Sequence, residues 1–129
     1  LKEEEILLIL YTVLVITVGT GLGTSMFIDG KLIPNFELGH LKMYGDCAEK
    51  YASSPARKKL NLSWKEWSDR FNEYIEYVEF LFSPNQIVFG GGISKYFNEF
   101  ESSLKSKCEI IPAKNRNNAG IIGAATCFK

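Results

Sequence analysis

Apolar character is nearly unbroken over residues 6–18, ILLILYTVLVITV, and then gives way to a glycine-rich turn. The second half of that run is β-branched at Thr12, Val13, Val15, Ile16, Thr17 and Val18, which predicts a strand buried on both faces. The first half reads either as a helix end or as an extension of the strand. After the turn, TSMFIDGKLIP places two short apolar stretches around Asp29-Gly30. An Asp-Gly pair in that setting predicts a two-residue hairpin, because both central positions tolerate positive φ. Residues 35–46 read as a loop.

The rhythm then becomes helical. Cys47 to Leu60 predicts a helix broken or kinked by Pro55. Ser63 opens a stronger one: SWKE is a capping box, with Glu66 three residues after the capping serine. Trp64, Trp67, Phe71, Tyr74, Val78 and Leu81 follow at spacings of three and four, an apolar stripe expected to face the core. Ser83-Pro84-Asn85 ends it. Ile87 to Phe89 predicts a short buried strand, followed by Gly90, Gly91 and Gly92 and a helix over roughly Ser94 to Ser106. EIIP predicts another strand, and NRNNAGIIGAATCF a last helix of small residues. The predicted order, β-β-β-α-α-β-α-β-α, indicates an α/β layer domain with a mixed sheet flanked by helices.

The 129 residues suffice for one domain with a real core. Fifteen acidic residues balance fifteen basic ones, so no global field attracts nucleic acid. The apolar run at residues 6–18 is shorter than the ~20 residues needed to span a bilayer. Glu3, Glu4 and Glu5 precede it where a signal peptide carries positive charge. The expectation is no membrane segment and a cytoplasmic protein. Three widely spaced cysteines, Cys47, Cys108 and Cys127, match no disulfide framework or zinc cluster.

Candidate chemistry gathers at turns. GTGLGT runs from strand to strand, which disfavours a dinucleotide fingerprint or a phosphate loop, since both open helices. A glycine turn within a strand pair still presents backbone N–H groups to phosphate. GGGIS and NNAG lead into predicted helices, whose free amides favour anions. In the loop after the hairpin, ELGH holds Glu37 and His40 three apart. A carboxylate and an imidazole together suit the hydroxyls of a polyol such as a sugar. His40 is the sole histidine, which excludes a multi-histidine metal site. Arg57, Lys58 and Lys59 read as a solvated helix face, with a path for a long polyanion as the alternative.

These stretches resemble one family. GTGLGTSMFIDGKLIPNFELGH is similar to the phosphate-loop and sugar-loop region of the ROK sugar kinases (repressor, open reading frame, kinase). LGHLKMYGDCAEKYAS, LSWKEWSDRFNEYIEYVEFLFSP, IVFGGGISKYFNEF and NNAGIIGAA resemble the polyphosphate glucokinases within it, in order, over residues 12–128. The cysteine cluster that many ROK members carry after the Glu-x-Gly-His motif is absent, as in the polyphosphate glucokinases.

The resemblance implies an actin-like, ribonuclease H-like ATPase fold. It implies phosphoryl transfer from polyphosphate or ATP, with Mg2+, to the 6-hydroxyl of glucose, in a homodimer. Thr20 and Gly21 would contact the donor phosphate, Gly90, Gly91 and Gly92 would line its site, and Glu37 and His40 would hold the sugar. The family's catalytic base is an aspartate upstream of the glycine hairpin, and residues 1–18 contain no aspartate. Residues 1–129 therefore read as one domain, the C-terminal half of such a kinase, without a catalytic residue and inactive alone. The alternatives are a non-catalytic sugar-sensing domain and an inert remnant.

Overall fold

A computed structural model describes residues 11–113. The NNAG turn, the small-residue helix predicted from Asn115 and the first half of the apolar run lie outside the described residues.

The predicted strand is strand β1, Thr12–Val18, and it stands at the centre of a five-stranded sheet. It pairs antiparallel with β2, Leu22–Ile28, which pairs antiparallel with β3, Lys31–Ile33. Its other edge pairs parallel with β6, Gln86–Gly90, and β6 pairs parallel with β7, Glu109–Pro112. A central position explains the unbroken apolar run. Leu14, Ile16 and Val18 face the main core, Val13 and Val15 face a second cluster with Phe27 and Val88, and all five β1 residues are fully buried. Asp29 and Gly30 take φ of 53° and 80° at the β2–β3 turn, as the Asp-Gly pair demands.

The helices sit on the main-core side. Helix α1 spans Ala48–Ala52 and α2 spans Ser54–Lys59. The expected break falls at Ser53, whose hydroxyl caps α2 by accepting the Ala56 amide, and Pro55 occupies the first turn, where its missing N–H costs nothing. Helix α3, Trp64–Phe82, has the expected capping box: the Ser63 hydroxyl accepts the Glu66 amide and the Glu66 carboxylate accepts the Ser63 amide. Trp67, Phe71, Tyr74 and Val78 are fully buried against the sheet, and so is Ile75. Two members of the stripe depart from the expectation. Trp64 is half-buried, and Leu81 is exposed.

Two stretches differ from their sequence patterns. The loop over residues 35–46 contains a 3-10 turn at Leu38–His40 and a small hairpin, β4 Lys42–Met43 and β5 Asp46–Cys47. Its turn places Tyr44 and Gly45 at positive φ, and a tyrosine there carries no hairpin signal. The helix expected over Ser94 to Ser106 is instead a 3-10 turn at Gly92–Tyr96, a short helix α4 at Phe97–Phe100 and a further 3-10 turn at Glu101–Ser103. Side chains of α3 capture its backbone. Asn72 donates to the Ser103 carbonyl and accepts the Lys105 amide, and the Glu79 carboxylate accepts the Lys107 amide. Groups that would extend a helix are bonded across the fold instead.

Candidate functional site

The turn Gly19-Thr20-Gly21 joins β1 to β2, so the glycine loop does run strand to strand. It is stiff. The Gly19 amide donates to the Gly21 carbonyl, and the Ser54 amide donates to the Gly19 carbonyl, which ties the turn to the start of α2. Among the described residues no backbone acceptor takes the amides of Thr20 or Gly21.

These residues line a cavity of about 490 Å³ at the carboxyl end of β1 and β6. That volume falls within the range of small-molecule sites. Gly91 and Gly92 form another part of the wall, so two of the three expected turns meet here. Gly90 does not line the cavity; it is buried in β6, paired with Thr17. Gly91 has φ of 88°, and a Cβ there would lie 2.6 Å from the Val18 backbone, so only glycine lets β6 turn this close to β1. The chain after Gly91 is a 3-10 turn, so the helix N-terminus expected to favour an anion is absent, and the binding groups here are those of the loops.

Glu37 also lines the cavity. Thr24 holds it there: its hydroxyl donates to the Phe36 carbonyl and accepts the Leu38 amide, clamping the chain on both sides of Glu37. His40 closes the same 3-10 turn, its amide donating to the Glu37 carbonyl. Its side chain lines a neighbouring hollow with Lys42, Tyr44, Asp46 and Cys47, so Glu37 and His40 do not share a cavity.

Glu49, on the first turn of α1, is a site residue that the sequence patterns missed. Its carboxylate enters the cavity and accepts the Leu22 amide at 3.0 Å. A Cβ on Gly21 would lie 2.0 Å from its Oε1, so the bare glycine makes room for this carboxylate. The signal was its place in the first turn of a helix that follows the sugar-like loop. Among the described residues, Glu37 and Glu49 are the only charged ones lining this cavity.

A second hollow, of about 450 Å³, opens from the same turn and shares Gly19, Thr20 and Gly92 with the first. Its charged residues are Arg57, Lys58 and Lys95, and its aromatic ones Trp64 and Tyr96. The Arg57 guanidinium lies over the Trp64 ring, 3.6 Å from its centre. Arg57 and Lys58 are therefore part of a cleft, whereas Lys59 is an exposed residue outside it. Among the described residues no group of three or more His, Cys, Asp or Glu side chains is placed to hold a metal. No helix there is long and apolar enough to cross a membrane.

The mixed sheet with its flanking helices has the fold of the ROK-family sugar kinases, an actin-like ATPase fold. A ROK glucokinase from Streptomyces griseus, solved with glucose and AMPPNP, superposes with a TM-score of 0.65 over 90% of this chain and 60% of its own, at 20% identity. The inorganic polyphosphate/ATP-glucomannokinase of Arthrobacter sp. strain KM superposes with a TM-score of 0.82 at 51% identity, over 92% of this chain and 47% of its own. The polyphosphate glucokinase of Mycobacterium tuberculosis (strain CDC 1551 / Oshkosh) is 34% identical over 113 residues, 88% of this chain and 43% of its own length. The chain is similar to these two relatives over part of their length only, spanning less than half of each. No family model matches it.

Proposed function

We propose that these residues form the C-terminal half of a glucokinase that transfers a phosphoryl group from polyphosphate or ATP to the 6-hydroxyl of glucose. The observation that carries the reading is the single cavity that joins the amides of Thr20 and Gly21, which no backbone acceptor takes among the described residues, to the carboxylates of Glu37 and Glu49. Backbone amides suit phosphate oxygens, and carboxylates suit sugar hydroxyls. The two functions also sort by charge. A phosphate beside Glu49 is repelled, so the donor belongs on the side of Thr20 and Gly92 and the sugar on the side of the carboxylates.

In this arrangement Glu37 and Glu49 accept from hydroxyls of glucose, and His40, which lines the neighbouring hollow, is assigned no hydroxyl in this cavity. Thr20 and Gly21 donate to the phosphate being transferred, with Gly91 and Gly92 as the opposite wall. No residue of this chain is assigned as the catalytic base. The described residues form no metal cage of their own. Mg2+ fits as an ion carried on donor oxygens and waters, where it neutralises phosphate charge. The acceleration from this half is positioning and charge stabilisation. The complete enzyme is proposed to be a cytoplasmic homodimer.

The test is Glu37→Ala in the complete enzyme. Removing a carboxylate from a sugar hydroxyl should cost ~1–3 kcal/mol, read as a glucose KM raised roughly tenfold or more. An unchanged KM and kcat would remove Glu37 from the sugar site.

A further inference from the structure

Glu49 reaches the cavity from α1, and α1 does little to hold itself. It is five residues long, and its capping residue, Cys47, makes no side-chain hydrogen bond to it. A helix of one turn is marginal unless its surroundings fix it. Here α3 supplies three holds. The Trp67 indole N–H donates to the Ala52 carbonyl at 2.9 Å, at the end of α1. Arg70 donates from Nη1 to the Tyr51 carbonyl at 3.1 Å and lays its guanidinium over the Tyr51 ring, 4.4 Å from the centre. The Glu73 carboxylate accepts the Tyr51 hydroxyl. Tyr51 is therefore gripped at ring, carbonyl and hydroxyl. Two residues on a helix lie about 200° apart around its axis, so Glu49 enters the cavity while Tyr51 faces α3.

Glu73 holds a second element. Its other carboxylate oxygen accepts the Tyr44 hydroxyl, from the turn of the β4–β5 hairpin. Tyr44 has φ of 52°, a left-handed conformation that a tyrosine keeps only where its surroundings impose it. Its side chain is exposed, and it is tied down by the bond to Glu73 and by the Tyr51 ring, with centroids 4.9 Å apart. The hairpin runs directly into α1, and the Ala48 amide donates to the Leu41 carbonyl at 2.7 Å, which joins the two into one piece. A half-buried carboxylate that places each oxygen on a phenol from a different element acts as a clamp.

We infer that Glu73 is a positioning residue: through Tyr44 and Tyr51 it fixes the hairpin and α1 on α3 and so sets the direction in which Glu49 enters the cavity. The inference rests on the glucokinase reading only for what Glu49 binds.

The Leu22 amide, which donates to Glu49 Oε1 at 3.0 Å, reports the position of that carboxylate without any ligand. Its hydrogen exchange is measured in the complete enzyme beside the KM for glucose and for the phosphate donor, in Glu73→Ala, Glu73→Gln, Tyr51→Phe and Glu49→Ala. Glu73→Ala should speed exchange at Leu22 about tenfold while β1 exchanges as before, and raise the glucose KM about fivefold with kcat and the donor KM little changed. Glu73→Gln, whose amide still bonds both phenols, should restore most of both effects. Tyr51→Phe keeps the ring contacts and should move both readouts the same way by less; it carries the test should the alanine variant fail to fold. In the Glu49→Ala background Glu73→Ala should add nothing, because residues that act through one another are not additive. Unchanged exchange at Leu22 overturns the clamp. So does equal acceleration across β1, which reports a general loss of stability, or a glucose KM effect of Glu73→Ala that persists without Glu49. Where Glu49→Ala leaves both KM values unchanged and Glu73→Ala moves Leu22 alone, the clamp stands and the glucose assignment of Glu49 falls.

Discussion

Individual side chains in this fold carry effects that differ in kind. Tyr74 is fully buried under the sheet, its hydroxyl has no partner among the described residues, and burial pushes its ionisation well above the usual tyrosine range. Because the folded state holds the proton more tightly, the associated stability is present below pH ~10 and is lost as pH rises beyond the unfolded pKa. Tyr74→Phe removes an unpaired polar atom without opening a cavity. It should be neutral or stabilising by up to ~1 kcal/mol, and it should reduce the alkaline loss of stability measured in urea melts at pH 8 and above. Destabilisation by more than that would show that the hydroxyl is paired. Gly21 acts differently. Its missing Cβ leaves room for a flexible carboxylate, so Gly21→Val should displace Glu49 and block phosphate while the thermal midpoint changes little. Full donor affinity in that variant would remove the loop from the phosphate site.

Among the elements, α3 is specified from both ends and by its buried face. The capping box starts it, Ser83 in the left-handed region at φ 44° ends it, and the stacked Trp67 and Phe71 rings, 4.9 Å apart, fix it to the sheet. Ser63→Ala should cost ~1 kcal/mol, visible as a lower thermal midpoint. The Ser63 amide, bonded to the Glu66 carboxylate, holds that carboxyl below its ordinary range. Its contribution is therefore present above the unfolded glutamate pKa and is lost as pH falls through the lowered folded value. Glu66→Gln should abolish that part of the acid dependence and lower stability slightly at neutral pH, where the charged carboxylate contributes. An identical acid limb in the variant would exclude the cap as its source. The short segments after Gly92 depend instead on Asn72 and Glu79 of α3, so Asn72→Ala should loosen residues 101–107 first, read by hydrogen exchange at Lys105.

At the scale of the molecule, the chain covers less than half of its two relatives named above. A base in hydrogen-bond reach of the attacking hydroxyl is worth ~10²–10⁴ in rate, and no aspartate precedes Asp29 in these residues. Closure of a second lobe would also exclude water from the reacting phosphate. Assayed as these 129 residues with glucose, Mg2+ and either donor, the protein should form no glucose 6-phosphate above a protein-free control. Turnover that Glu37→Ala abolishes would show that the base lies within this chain.

Elements whose causes lie within a few residues were readable from the chain alone. The β1 run, the Asp29-Gly30 turn, the Ser63 capping box and the break before Pro55 each stand where local sterics and hydrogen bonding require. Glu37 was singled out for the same reason, as a carboxylate in a short polar loop beside the glycine turn. Glu49 was not, because its role exists through Leu22, 27 residues away, and through the space left by Gly21. The interrupted segment after Gly92 and the sharing of one turn by an acidic cavity and a basic cleft have the same origin. A helix propensity is a local quantity, but the Asn72 amide that captures the Ser103 carbonyl arrives from 31 residues away, and only packing of α3 on the sheet brings it there.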